Sequence, residues 1–116
     1  MPGKRFPLTS ATRKDIRDAL AFTKERYGDA KAKDYASLIR IALHAITGDA
    51  RAGKPRPEID PDAFTYPIAR PGRNARHLFL YEIVDEEARI YGLFYDGMDL
   101  PAHWKGRRKG TAVDDE

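Results

Sequence analysis

The chain has 116 residues, of which 41% are hydrophobic and 34% charged, so its composition is that of one polar globular domain and excludes two domains or a disordered chain. It contains no cysteine, which excludes a disulfide framework and a thiolate metal site. The formal net charge is only +3, but basic residues cluster at 4–5, 13–14, 70–76 and 105–109, and such clusters attract nucleic acid or acidic protein surfaces.

The first half of the chain predicts a short strand followed by a hairpin of two helices. The segment RFPLTS at residues 5–10 is typical of an edge strand, because its proline cannot donate a ladder hydrogen bond. In the first helix, Thr12 and Asp15 resemble a capping box and Gly28 supplies the stop. Asp29 is the predicted cap of the second helix, which ends at Gly48. The inward-facing stripes comprise Ile16, Ala19, Leu20, Thr23 and Tyr27 in the first helix and Tyr35, Leu38, Ile39, Ala42, Leu43 and Ile46 in the second.

The second half predicts a loop and then three strands. Residues 48–62 contain three prolines and two glycines, which predicts an irregular connection with Ile59 pinned to the core. The strand candidates are FTYPIA at 64–69, HLFLYEIV at 77–84 and RIYGLFY at 89–95, with DEEA at 85–88 as the last turn. The nearly continuous hydrophobicity of the last two strands indicates that both faces of the sheet are covered.

This order of elements, β-α-α-β-β-β, predicts an α+β fold. The short N-terminal strand and the helical hairpin would pack on one face of a small, mainly antiparallel sheet, giving two layers. Residues 1–104 would form the single domain, and residues 105–116 a charged, flexible tail.

Catalytic signatures are sparse in this sequence. The three histidines, His44, His77 and His103, lie in different elements with no metal-ligand spacing, so neither a metal nor a cofactor is expected. RNA cleavage needs only a base, an acid and a positive clamp. The residues that offer these groups are Arg70, Arg73, Arg76, His77, Asp99 and His103.

The segment after the last strand suggests a contact surface instead. Tryptophan and arginine dominate energetic hot spots at protein interfaces. Met98, Leu100 and Trp104 stand here beside Lys105, Arg107 and Arg108. The alternative for Leu100 and Trp104 is that they fold back and cap the core, and the sequence leaves both open.

Four stretches together resemble a ParE-type toxin of the RelE/ParE superfamily, the toxic half of bacterial toxin–antitoxin pairs. They are AFTKERYGDAKAKDYASLI, GKPRPEI, RHLFLYEIV and the ending YDGMDLPAHW, and the resemblance covers roughly residues 5–104. It implies two N-terminal helices against an antiparallel sheet, and a cognate antitoxin that forms a hetero-oligomer with the toxin. ParE-like relatives are associated with inhibition of DNA gyrase, whereas RelE-like relatives cut messenger RNA on the ribosome.

The segment after the last predicted strand favours the gyrase-directed branch of this superfamily. RelE-like nucleases carry basic residues and a tyrosine after this strand, whereas the present chain has Asp99 and Pro101 there. The expected protein is a growth-arresting toxin that contacts DNA only through its antitoxin. The alternatives are a ribosome-dependent endonuclease, using Arg73, Arg76, His77 and His103, and a non-toxic binding module. The start of the chain has no apolar signal region, so a cytoplasmic protein is expected.

Two surfaces are assigned on this interpretation. Target binding is expected from Met98, Asp99, Leu100, His103, Trp104, Arg107 and Arg108. Antitoxin binding is expected in a groove lined by Phe22 and Ile41, which fall off the main helix stripes.

Overall fold

The computed structural model describes residues 8–69, 75–95 and 97–110, and these form an α+β fold with three α-helices and a four-stranded antiparallel sheet. The elements are α1 (Ser10–Tyr27), α2 (Asp29–Gly48), a 3₁₀ helix (Ala50–Ala52), β1 (Lys54–Pro55), β2 (Phe64–Ile68), β3 (His77–Val84), β4 (Glu87–Tyr95) and α3 (Leu100–Gly110). The strands lie in the order β1-β2-β3-β4.

The helical hairpin is confirmed, but α1 begins earlier than predicted. Its N-cap is Thr9, whose hydroxyl oxygen accepts a hydrogen bond of 3.0 Å from the backbone N–H of Thr12. Thr12 is therefore inside the helix and fully buried, and its predicted role as the cap is wrong. The helix ends at Gly28, where a φ of 94° requires glycine. Gly28 is also the N-cap of α2, so the predicted cap, Asp29, is wrong and is the first residue of that helix.

The predicted face of α2 forms the core on one side of the sheet. Ile39, Ala42, Leu43 and Ile46 are buried and pack in one cluster whose sheet members are Ile68, Phe79, Tyr81, Ala88, Ile90 and Leu93. Tyr35 and Leu38 are half-buried at its margin. Tyr27 does not follow the predicted stripe of α1, because its side chain is 54% exposed.

The connections differ from the predictions in detail. The segment before β2 was predicted to be irregular, but it contains the 3₁₀ helix and β1. Pro55 is tolerated in β1 because β1 is an edge strand, where the N–H that proline lacks is not needed. Ile59 is buried there, as predicted. The last turn is the pair Asp85-Glu86, both at positive φ, so β4 begins at Glu87. At the N-terminus, Leu8 makes a single parallel bridge to Ile90. The predicted strand is wrong at its end, because Thr9 caps α1 and Ser10 belongs to that helix, and residues 5–7 lie outside the described residues.

The second face of the sheet carries α3, so the expectation of two layers is wrong. Leu100 and Trp104 pack with Leu78, Leu80, Tyr91 and Phe94, while the other face of the same strands meets α1 and α2. The inference that both faces are covered is thereby confirmed. Lys105–Lys109 belong to α3 rather than to a tail, and residues 111–116 lie outside the described range.

Candidate functional site

The predicted target-binding residues are mostly parts of the structure that attaches α3. Leu100 and Trp104 are 3% and 1% exposed, and the indole meets the Tyr91 ring edge-on at 5.0 Å between centroids. Their burial agrees with the alternative that they cap the core. Asp99 caps α3, since its Oδ1 accepts a hydrogen bond from the N–H of Ala102. Met98 is half-buried against the same cluster.

Arg107 ties α3 to α1 across the free edge of β4. Its guanidinium donates two hydrogen bonds, of 2.9 and 3.0 Å, to the carboxylate of Asp15 and a third, of 2.7 Å, to the Tyr91 carbonyl. Asp15 also accepts from the N–H of Leu93 at 3.1 Å. The predicted capping role of Asp15 is therefore wrong. Its carboxylate accepts a hydrogen bond from the free edge of β4 and pairs with the partly buried guanidinium of Arg107.

A bulge in β4 makes room for this arginine. Leu80 faces Gly92 and Tyr81 faces Ile90, so Tyr91 is an extra residue on β4. A Cβ atom on Gly92 would come within 2.7 Å of Arg107 Nη1 and 2.5 Å of the Phe94 ring. Glycine is therefore the residue that fits beneath the guanidinium.

Arg108 is also engaged within the chain. Its guanidinium lies 3.3 Å from Glu82, 3.6 Å from Asp62 and 5.6 Å from the centre of the Trp104 ring. Glu82 in turn accepts a hydrogen bond of 2.6 Å from the Tyr91 hydroxyl. Burial, reinforced by this carboxylate, raises the pKa of Tyr91 to about 12. The polar groups of α3 thus face carboxylates of the sheet and loop.

Exposed aromatic groups gather elsewhere, in a surface that we name the aromatic–arginine patch and define as Phe22, Arg26, Tyr27, Arg76 and Tyr95. Among the described residues, three of the four exposed large hydrophobic side chains belong to it. The guanidinium of Arg26 lies over the Phe22 ring at 5.2 Å. Hydrogen bonding to Arg76, with a smaller effect of Arg26, lowers the pKa of Tyr27.

His77 supports the patch from beneath. Its ring is 7% exposed and lies 4.5 Å from the Tyr95 ring, and its Nδ1 shares a hydrogen bond of 2.5 Å with the Tyr35 hydroxyl. Burial, and secondarily the charge of Arg76, lower the pKa of His77. Burial raises the pKa of Tyr35 to about 12. A neutral imidazole therefore joins α2 to the sheet at physiological pH.

A groove of about 320 Å³ opens beside the patch, between α1 and the end of β4. Its lining residues are Asp15, Asp18, Ala19, Phe22, His77, Leu93, Tyr95 and Met98. Phe22 thus lines a groove as predicted. Ile41, its predicted companion, is 60% exposed on α2 and is not part of that lining.

The two histidines of the nuclease alternative, which both lie in the described part of the chain, do not meet at one point. His77 contacts Tyr35 of α2 on one face of the sheet, whereas His103 stacks on Phe94, at 4.8 Å, on the face covered by α3. Arg76 belongs to the patch, and Arg70 and Arg73 lie outside the described residues. A histidine base and a histidine acid are therefore not assembled around one phosphate.

Sequence reasoning missed Arg26, Tyr27 and Tyr95 as surface residues. A usable signal was the i,i+4 spacing of Phe22 and Arg26, which stacks a cation on an aromatic ring outside the helix stripe.

Within 8–69, 75–95 and 97–110, no group of three or more metal-ligating side chains occurs. Nor does any helix in those ranges have the length and apolarity needed to cross a membrane.

A scan against models of protein families finds none that matches this chain, and a search of curated proteins finds no match either. The likeness to ParE-type toxins therefore depends on the motifs quoted above.

Proposed function

We propose that this protein is a ParE-like toxin that arrests growth by binding and poisoning DNA gyrase in the cytoplasm, and that a cognate antitoxin neutralises it in a hetero-oligomeric complex. The proposal is supported by the four resembling stretches and by the pairing of an N-terminal helical hairpin with an antiparallel sheet. DNA would be contacted only through the antitoxin.

The observation that favours binding over cleavage is the position of the two histidines. His77 and His103 lie on opposite faces of the sheet, so they cannot act as base and acid on one ribose–phosphate link. His103 is also held against Phe94, and Asp99 is occupied as a helix cap. A protein with these groups is better suited to gripping a partner than to breaking a bond.

The surface that suits a partner is the aromatic–arginine patch with its groove. Tyrosine and arginine are enriched in interface hot spots, and exposed apolar side chains gain most from being covered. Phe22, Tyr27 and Tyr95 are each more than a third exposed. The expected contact surface therefore moves from the α3 residues to this patch.

Expression of the chain alone tests the proposal. We expect growth arrest with double-strand DNA breaks and an induced DNA-damage response, since a poisoned gyrase leaves its cleavage complex on DNA. Cleaved messenger RNA on translating ribosomes would instead support the endonuclease alternative of Arg73, Arg76, His77 and His103. Unaffected growth, at a verified level of folded protein, would favour a non-toxic binding module.

A matched pair of substitutions then tests the surface. Phe22→Ala removes a ring from the patch, and Ile41→Ala removes an exposed side chain of α2 outside the groove. We expect Phe22→Ala to relieve growth arrest or to weaken antitoxin capture, and Ile41→Ala to do neither. Equal effects of the two substitutions would contradict the assignment of this surface.

A further inference from the structure

We infer that the aromatic–arginine patch and its groove bind an acidic amphipathic peptide segment of a protein partner, with apolar side chains in the groove and carboxylates on Arg26 and Arg76. This inference deepens the proposed binding function and rests on it. It specifies the chemistry of the segment, which the resemblance to toxins does not supply.

The groove is the apolar part of the binding surface. Ala19, Phe22, Leu93 and Met98 contribute to its walls, and Phe22 and Tyr95 at its rim are 39% and 44% exposed. Covering these side chains removes apolar surface from water, which favours association but does not orient the bound segment. A volume of about 320 Å³ accommodates individual side chains of a segment rather than a whole helix.

The charged half lies at the Tyr27 end. Within the described residues, neither Arg26 nor Arg76 forms an ion pair with a carboxylate. Arg26 lies over the Phe22 ring, and Arg76 directly precedes His77 of the groove lining. The two arginines together lower the pKa of Tyr27. A guanidinium has five N–H donors, so each retains donors for a carboxylate of a partner. This contrasts with Arg107 and Arg108, whose carboxylates come from the chain itself.

The acidic wall of the groove favours a peptide over a nucleic acid. Asp15 and Asp18 both line it. Asp15 is neutralised by Arg107, and Asp18 pairs with the exposed side chain of Lys14 at 2.8 Å. A phosphate backbone carries a charge at every residue and would pass these carboxylates, whereas a peptide can confine its carboxylates to the arginine end.

A random-peptide display selection on the intact, folded chain tests this inference. We expect enriched peptides to combine aspartate or glutamate with a leucine, isoleucine or phenylalanine a few residues away. A synthetic copy of an enriched peptide should bind the Arg26→Glu/Arg76→Glu variant at least tenfold more weakly than the native chain. It should also lose at least tenfold on Phe22→Ala, and its affinity should fall with rising salt.

The matched control reverses the charge of two exposed arginines outside the patch, one on α1 and one on α2, in the variant Arg13→Glu/Arg40→Glu. This variant should change the affinity for the peptide less than threefold. A second selection on Arg26→Glu/Arg76→Glu should enrich lysine and arginine in place of the acids. Circular dichroism and thermal melting establish that each variant is folded. Peptides without acidic residues, equal losses in the two double variants, or tighter binding of a random single-stranded RNA 20-mer than of any peptide would overturn the inference. Growth arrest without binding of acidic peptides would refute this inference but not the proposed function. Binding of acidic peptides without growth arrest would refute the proposed toxin function.

Discussion

Two surfaces of this protein bring aromatic rings and arginines together, and they differ in where the arginines find their counter-charges. On α3, Arg107 lies 4.9 Å from the Phe94 ring and Arg108 lies 5.6 Å from the Trp104 ring, and both arginines pair with carboxylates of the same chain. In the aromatic–arginine patch, Arg26 lies at a similar distance, 5.2 Å, from Phe22. Its ring partner is 39% exposed, while Trp104 is 1% exposed.

The difference separates a structural use of these residues from a binding use. Trp104 and Arg107 complete the fold, because one fills the second face of the sheet and the other satisfies the free edge of β4. Phe22 and Arg26 complete nothing inside the described chain. Substitutions in the two regions should therefore have opposite consequences: loss of stability on α3, and loss of binding without loss of stability in the patch.

The largest expected effect comes from Trp104→Ala. Removing a fully buried indole leaves a cavity beneath α3, and such changes cost about 3–5 kcal/mol of the free energy of unfolding. Urea denaturation measures it, with Trp104→Phe as a milder variant that keeps a ring in the site. The comparison variant Phe22→Ala should lose only about 0.5 kcal/mol. Similar losses for Trp104→Ala and Phe22→Ala would remove the distinction between the regions.

The ion pair between α1 and α3 should give the next largest effect. Arg107→Ala removes the guanidinium donors of Asp15 and of the Tyr91 carbonyl, and we expect a loss of about 2 kcal/mol because the pair is partly, not fully, buried. Arg107→Lys keeps the charge but not the two parallel hydrogen bonds, so it should recover only part of the loss. A double-mutant cycle of Asp15→Ala with Arg107→Ala measures the coupling. Additive losses would show that the two residues act independently.

Two glycines, Gly92 in β4 and Gly106 in α3, should respond to alanine with opposite signs. Gly92→Ala puts a methyl group against the Phe94 ring and Arg107, and overpacking of this kind costs about 1–2 kcal/mol. Gly106→Ala on α3 meets no atom within 4 Å, and it should stabilise the helix by roughly 0.5–1 kcal/mol. Thermal melting of both variants checks the two signs. Stabilisation by Gly92→Ala would contradict the close approach of Arg107.

The helical hairpin was predictable because its signals are local. The stripe of α2 repeats at helical spacing, and Gly28 marks the break between the helices by its positive φ. The start of α1 was misplaced because Thr9 and Thr12 are both good caps, and only the buried position of Thr12 decides between them. Local patterns therefore determined the elements but not their last residues.

The role of α3 could not be read from its own sequence. Tryptophan beside arginine is as typical of an interface hot spot as of a residue that caps the core. Which role Trp104 has depends on whether the sheet has a second apolar face to be covered. The hydrophobic runs of β3 and β4 did indicate a covered second face, and Trp104 occupies it. The patch was harder to predict, because it depends on the strand register, which sets His77 opposite Tyr95, and on the packing that brings Phe22 and Tyr95 to one groove.

The smallest expected effect concerns the histidine under the patch. Burial lowers the pKa of His77 below its ordinary value of 6.5, so in the window between the folded pKa and about 6.5 the unfolded chain binds a proton that the folded chain does not. The unfolded state then binds more protons, and the free energy of unfolding falls as the pH falls through this window. The stabilising contribution is complete above about pH 7 and levels off at its minimum below the folded pKa.

Urea denaturation between pH 7.5 and 5.5 measures this slope, and His77→Gln should flatten it because the titrating group is gone. His44→Gln, a substitution on the exposed side of α2, retains His77 and should keep the slope. Tyr35→Phe removes the hydroxyl that bonds Nδ1 and leaves the ring buried, so it should lower stability at every pH while the direction of the slope persists. If stability instead rises on acidification, a proton must be favourable at His77, and the neutral contact with Tyr35 and Tyr95 cannot be what supports the patch.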